Sequence, residues 1–88
     1  MTSGRYFNKG VMALDVPDIG HVVRETDDKI VIFGEYNYRF DVPKSKIKQV
    51  GRNIILDMKY PELFKYQVDR NVPLPTTGES VVELVNEQ

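Results

Sequence analysis

Only one side chain in this sequence could act as an imidazole base or as a histidine ligand to a metal, and it is His21. It stands beside Val22 and Val23 in an apolar stretch that is typical of a β-strand. A histidine-based metal centre needs two or more soft or borderline ligands at close spacing, and His21 is accompanied only by dispersed carboxylates. The sequence therefore predicts no metal site at His21.

The hydroxyl and carboxylate side chains also lack the spacing that catalysis needs. Ser3, Ser45 and Ser80 lie in the amino-terminal stretch, a basic loop and a linker, without the glycine pattern of a nucleophile elbow. Asp27 and Asp28 are adjacent and could share a proton or hold a hard cation, but the alternating acids of a calcium loop are absent. A turn is favoured there. We predict no catalytic residue, no metal and no cofactor, and we predict that the protein is not an enzyme.

A local basic cluster is the first candidate for binding. It consists of Lys44, Lys46, Lys48 and Arg52. Alternate lysines in an extended segment would project to one side, where they could contact a phosphate backbone or an acidic partner. Lysines are also common guards of an exposed sheet edge, so the pattern favours a solvated or edge-guarding role over phosphate binding.

Three aromatic residues at a spacing of two form the second candidate. Tyr36, Tyr38 and Phe40 would lie on one face of a strand. Such a stripe could stack on bases, but in a half-buried strand it is more typical of a core or a protein interface.

A short apolar segment near the end of the sequence is the third candidate, with Val81, Val82 and Leu84 as its possible contact residues. Ser80 and Glu83 have the spacing of a helix capping box, whereas the valines favour a strand. The segment could return to the parent domain, pair with another chain by strand addition, or fray.

The elements that must position these residues are short. Between Met12 and Met58, apolar segments alternate with turn residues at close intervals, which predicts a small all-β barrel. Gly20 indicates a bulge or a close backbone approach. The predicted strands are Gly10–Val16, Ile19–Thr26, Lys29–Phe33, Tyr38–Val42, Ile47–Val50 and Ile54–Met58. At Tyr60–Val68 the period changes to that of one short helix, which we expect to close one end of the barrel.

Composition limits the function classes. The 88 residues fit one domain, predicted at residues 1–70, followed by a Pro/Thr-rich linker and apolar tail at 71–88. A net charge of −1 provides no overall field for nucleic acid, so we expect none to bind. The sequence has no cysteine and no apolar run of the roughly 18 residues that a membrane helix needs. We therefore expect a cytoplasmic protein that does not insert into a membrane.

Four segments of the chain resemble the PRC-barrel domain family over residues 10–60. They are Ile19-Gly20-His21-Val22, Asp27-Asp28-Lys29-Ile30, Asp41-Val42-Pro43-Lys44-Ser45-Lys46-Ile47 and Val50-Gly51-Arg52-Asn53-Ile54-Ile55-Leu56. The following stretch, Tyr60-Pro61-Glu62-Leu63-Phe64-Lys65-Tyr66, is similar to stand-alone archaeal members. The linker and the apolar tail lie outside the resemblance.

The resemblance implies a small six-stranded PRC-like β-barrel. Together with the residue patterns, it leads us to predict a mainly β fold in which one short C-terminal helix and an extended tail follow the barrel. It also implies a module without enzymatic activity. The family's modules occur in photosynthetic reaction-centre H subunits, at the end of a ribosome-maturation factor, and in small archaeal proteins linked to cell division. We therefore expect a dimeric adaptor that binds itself, a related barrel protein or a protein of a larger assembly. The alternative is an RNA- or ribosome-binding module that uses the basic segment from Lys44 to Arg52.

Overall fold

The computed structural model describes residues 6–75, and this part of the chain is mainly β. The strands are β1 (Gly10–Met12), β2 (Gly20–Glu25), β3 (Lys29–Phe33), β4 (Arg39–Pro43), β5 (Ile47–Val50) and β6 (Ile54–Leu56). One short α-helix, α1, spans Tyr60–Leu63. Six strands and a single helix agree with the prediction. β1 is shorter than predicted because the N–H of Ala13 donates to the carbonyl of Val16 and closes a turn, at 2.9 Å.

The six strands form one mixed sheet in the order β4-β3-β2-β1-β6-β5. β1 pairs antiparallel with β2 and parallel with β6. β4 and β5 stand at opposite ends of this order, and they do not pair, so the sheet is not closed into the predicted barrel. The reason is local: after a 3₁₀ turn over Lys44–Lys46, β5 pairs with β6, while the outer edge of β4 receives Gln67 in a β-bridge.

Period-two alternation on β3 and β4 builds the centre of the core. Ile30 lies opposite Val42, and Ile32 lies opposite Phe40, and all four side chains are fully buried. The remaining core side chains come from the other strands, the loops and α1: Val11, Ala13, Ile19, Val22, Ile54, Leu56, Met58 and Leu63. The apolar alternation in the sequence therefore fixes which face of the sheet is covered.

Gly20 allows β2 to approach the end of β3 closely. Its φ is +148°, a conformation that L side chains rarely adopt. A Cβ at this position would lie 2.2 Å from the carbonyl oxygen of Phe33. The predicted close backbone approach at Gly20 is therefore confirmed, and only glycine fits this position without moving a strand.

The helical segment is shorter than the sequence predicted. α1 begins where the N–H of Tyr60 donates to Oδ1 of Asp15, at 2.8 Å, and a 3₁₀ turn over Phe64–Tyr66 follows α1. Beyond that turn, the N–H of Val68 donates to the carbonyl of Arg39 at 2.8 Å, which aligns the chain with β4 instead of continuing the helix. Pairing with the sheet edge has therefore replaced the last predicted helical turn.

The sheet face opposite the core, on β2, β3 and β4, is called the outer face below. Val31 lies on this face opposite Asp41, and it is fully buried. Arg39, also on this face, is 1% exposed. Its guanidinium holds Asp41 through two hydrogen bonds, of 2.9 and 3.0 Å, and a third reaches the carbonyl of Val72. The chain after α1 therefore covers part of the outer face.

Candidate partner-binding groove

The loop between β3 and β4 presents a tyrosine in an unusual backbone conformation. The N–H of Gly34 donates to the carbonyl of Tyr38, at 2.9 Å, which holds the loop tight. Within it, Tyr36 and Asn37 have φ values of 58° and 63°. Asparagine tolerates the left-handed region, whereas a bulky tyrosine there is a true outlier.

The side chain of Tyr36 makes few contacts that could offset this backbone strain. Its side chain is 83% exposed, and its contact with another ring is an edge contact to Tyr38, with ring centroids 6.1 Å apart. Strained backbone positions of this kind concentrate at ligand clamps and binding sites. The observed outlier therefore directs attention to this loop as a functional surface.

A set of perpendicular ring contacts anchors the loop to the core. Phe64 stands at its centre, with ring centroids 5.1 Å from Tyr38, 5.2 Å from Phe40 and 5.2 Å from Tyr60. Edge-to-face pairs at such separations are favourable beyond the area that they bury. The rings thus run from the fully buried Phe40 to the exposed Tyr36, so that the exposed end rests on a rigid base.

Three of these aromatics, Tyr36, Tyr38 and Phe64, line an open groove of about 640 Å³. The chain that follows α1 forms another part of its wall, and the lining residues are Tyr36, Asn37, Tyr38, Phe64, Gln67, Val68, Asp69, Arg70 and Asn71. Asp69 accepts a hydrogen bond from the N–H of Asn71, at 2.9 Å, which fixes the turn at that wall. Aromatic rings and amide side chains lining one groove suit a polypeptide, which presents both apolar groups and backbone hydrogen-bonding groups.

The structure separates the three aromatic residues that the sequence grouped. Tyr36 and Tyr38 line the groove, whereas Phe40 is 0% exposed and belongs to the core. The groove wall at residues 67–71 was not foreseen, because the helical pattern was extended through Val68. The helical pattern identifies Phe64 as an apolar residue that must pack, but it does not indicate that Phe64 lines a groove.

The basic cluster is divided as well. Lys44 pairs with Glu25, with Nζ and Oε2 2.8 Å apart, and its Nζ lies 5.0 Å from the centre of the Tyr6 ring. Lys46, Lys48 and Arg52 are exposed. Because Lys44 and Lys46 lie in a 3₁₀ turn, the lysines do not form one row along an extended segment. Val81, Val82 and Leu84 lie outside the described residues.

The remaining candidates from the sequence are dispersed. His21 is exposed on β2, and Asp27 and Asp28 lie in the turn between β2 and β3, as predicted. The hydroxyl of Thr26 donates to Oδ1 of Asp28, at 3.0 Å, within that turn. Across residues 6–75, no three His, Asp or Glu side chains gather closely enough to hold a metal ion. In the same range, no helix is long and apolar enough to cross a lipid bilayer.

Tyr60, which packs on Phe64, should make the stability of the protein depend on pH. Burial raises the pKa of the Tyr60 phenol above its usual value of 10.0, and nearby Tyr38, Glu35 and Tyr36 raise it further. The unfolded chain therefore loses this proton at a lower pH than the folded protein does. We expect the contribution of the Tyr60 phenol to the free energy of unfolding to be fully present below about pH 10. It should be lost as the pH rises through the pKa of Tyr60 in the folded protein.

Urea unfolding at several pH values between about 8 and 11 measures this loss. Tyr60→Phe keeps a ring against Phe64 but cannot ionise, so its free energy of unfolding should fall less steeply than that of the wild type. Identical slopes for the two proteins would contradict the role assigned to Tyr60.

No protein-family model matches this chain, and neither does any curated protein or solved structure. A functional proposal therefore has to come from the groove and from the chain's own sequence.

Proposed function

We propose that this protein is a non-catalytic protein-interaction module that binds a protein partner in the groove beside Tyr36. The observation that carries the proposal is the exposed Tyr36 ring, held in a left-handed backbone conformation at the rim of the groove. Tyrosine is among the residues most enriched at binding hot spots, because one large ring supplies contact area and a hydroxyl with little loss of entropy. A strained, solvent-facing tyrosine is readily explained by such contact.

The groove's shape supports a polypeptide ligand more than a small molecule. It is open to solvent, and its polar lining consists of neutral amides with one carboxylate, Asp69, and one guanidinium, Arg70. The Arg70 guanidinium lies 3.8 Å from the centre of the Phe33 ring and is directed to the sheet. The groove therefore offers apolar anchors and amides rather than the converging charged groups that typically fix a small polar substrate.

We further propose that the protein is a dimeric adaptor of the PRC-barrel type, with a second copy or a related barrel protein as its partner. The resemblance over residues 10–60 and the mainly β, six-stranded fold support this assignment. In this proposal the open sheet takes the place of the family's barrel, with β4 and β5 apart, and the 3₁₀ turn over Phe64–Tyr66 packs beside β4. A role in archaeal cell division is the process that the resemblance favours.

Replacing Tyr36 tests the groove. Tyr36→Asn relieves the left-handed backbone, worth about 1–2 kcal/mol, and loses a ring contact worth about 0.5–1.5 kcal/mol, so we expect stability to change by less than about 1 kcal/mol. Self-association should weaken about tenfold or more, since an exposed aromatic anchor is lost. Light scattering and sedimentation of the full chain over a concentration series measure this effect.

The matched control is Leu14→Ala, because Leu14 is another exposed apolar side chain but does not line the groove. It should leave the dissociation constant unchanged. Equal association by wild type and Tyr36→Asn would remove Tyr36 from the interface. A wild-type protein that stays monomeric at every concentration, and that recovers no protein when used as bait in its native extract, would refute the adaptor function.

The alternative function is RNA or ribosome binding through three exposed residues: Lys46 in the 3₁₀ turn before β5, Lys48 on β5, and Arg52 in the turn after it. The pairing of Lys44 with Glu25 reduces the charge available to a phosphate backbone. RNA binding that weakens steeply with salt, and that depends less on salt once these three residues are neutralised, would favour the alternative over the groove.

A further inference from the structure

Three arginines gather on the outer face. Arg24 on β2 lies opposite Val31, and Val31 lies opposite Asp41 on β4. One row along, Phe33 lies opposite Arg39, with the guanidinium of Arg70 stacked on the Phe33 ring at 3.8 Å. Directly opposed residues on neighbouring strands have Cβ atoms about 5 Å apart, and diagonal neighbours about 7–8 Å. The three guanidinium groups therefore share one small area of the sheet.

Charge on this area is not balanced by the described residues. Asp41 is fully engaged, since both of its carboxylate oxygens accept hydrogen bonds from Arg39. The Nε atoms of Arg24 and Arg70 are buried, and neither has a hydrogen-bond partner within residues 6–75. A buried donor without a partner costs about 1–3 kcal/mol, and more when it is charged. The outer face thus has two guanidinium Nε donors without an acceptor among residues 6–75.

The chain itself carries a suitable acceptor. Residues 76–88 contain Glu79, Glu83 and Glu87 and no lysine or arginine. Val72, four positions before this segment, lies at the outer face, because its carbonyl accepts a hydrogen bond from Arg39. Seven extended residues span up to about 25 Å, so Glu79 can reach the outer face from Val72. Charge and chain length both favour this occupant.

We propose that carboxylates of residues 76–88 bind Arg24 and Arg70 on the outer face of the same chain. A carboxylate oxygen would accept a hydrogen bond from the buried Nε atoms, and charge-assisted bonds of this kind are about twice as strong as neutral ones. Arg70 also lines the groove, but the proposal rests on other observations, namely its contact with Phe33 and the unpartnered Nε atoms of Arg24 and Arg70. It assigns to the acidic segment the role of an intramolecular ligand.

A spin label on the acidic segment tests the proposal. The sequence has no cysteine, so Gln88→Cys in the full chain provides a unique attachment site without a change in charge. We expect the label to broaden the NMR signals of Arg24, Val31 and Arg70 at low ionic strength. At 1 M salt the Debye length is about 3 Å, and the broadening should be lost. Broadening that persists at 1 M salt would overturn the electrostatic basis.

Variants identify the partners. Arg24→Gln combined with Arg70→Gln should abolish the broadening, whereas Lys48→Gln combined with Arg52→Gln removes the same charge from β5 and its turn and should leave the broadening unchanged. Neutralising Glu79, Glu83 and Glu87 to glutamine touches no described residue, so it gives the same answer if the arginine variant fails to fold.

Mixing separates an intramolecular contact from an intermolecular one. Isotope-labelled protein without a spin label is combined with spin-labelled protein at natural isotope abundance. No broadening in this mixture, together with broadening inside the labelled molecule, supports the proposal. Broadening in the mixture would assign the arginines to the acidic segment of a second copy, and the absence of broadening in both samples would show that the segment does not bind the outer face; either result overturns it.

Discussion

Gly20→Ala is expected to destabilise the protein by about 3 kcal/mol or more. The added Cβ would lie 2.2 Å from the carbonyl oxygen of Phe33, a distance that real Cβ atoms essentially never show. The φ of +148° adds backbone strain for any L side chain. Because the obstructing atom is backbone, relief requires β2 and β3 to separate, and β3 carries fully buried core residues. Urea unfolding measures the change, with a domain of this size having about 5–15 kcal/mol in total.

Gly51→Ala is the matched control for this prediction. Gly51 lies in the exposed turn between β5 and β6, and a Cβ there would have nothing within 4 Å. The same chemical change should therefore alter stability by about 0.5 kcal/mol or less. Similar losses for the two variants would mean that glycine content, rather than the close approach at Gly20, determines the effect.

Asp41→Asn is expected to have the second largest effect, a loss of about 3 kcal/mol. The variant keeps the shape of the side chain but leaves the guanidinium of Arg39, which is 1% exposed, without its charged partner. A buried ion pair that loses one member costs about 3–5 kcal/mol, because the other charge stays in a poorly solvated place. We place Asp41→Asn at the low end, since Arg39 retains its hydrogen bond to Val72.

Two further variants test that explanation by chemical denaturation. Arg39→Met combined with Asp41→Leu removes both charges, and it should recover most of the loss, because an apolar pair of similar volume replaces a buried ion pair at little cost. Glu25→Gln breaks the more exposed pair with Lys44 and should cost about 1 kcal/mol or less. A double variant that is no more stable than Asp41→Asn would show that the apolar replacements do not fit the site.

The strands were the predictable part of this fold, because each carries its own signal. Lys29–Phe33 is β-branched and aromatic between turn residues, and the structure has β3 at those bounds. Phe40 and Val42 alternate with polar neighbours, and both are buried in the core. Gly20 was recognisable because a glycine inside an apolar strand indicates a special backbone position.

Closure of the sheet and the shape of the groove were not predictable, because both depend on contacts between distant parts of the chain. The edge of β4 is taken by Gln67 and Val68, and nothing in the local sequence of either segment specifies that pairing. The conformation of Tyr36 was also hidden, since tyrosine is a poor candidate for the left-handed region. Of the groove, the sequence identified two aromatic side chains and missed the wall at residues 67–71.

The position of β1 determines when the sheet can be completed. β1 is three residues long, and it joins the β2–β3–β4 meander on one side to the β5–β6 hairpin on the other. The strands within the meander and within the hairpin pair through contacts that are local in sequence. The pairing of Val11 with Ile54 instead joins residues that are far apart in the chain. During synthesis β1 emerges before β6, so one edge of β1 stays unpaired until β6 arrives. We conclude that nascent chains that have not yet released β6 carry the greatest risk of mispairing.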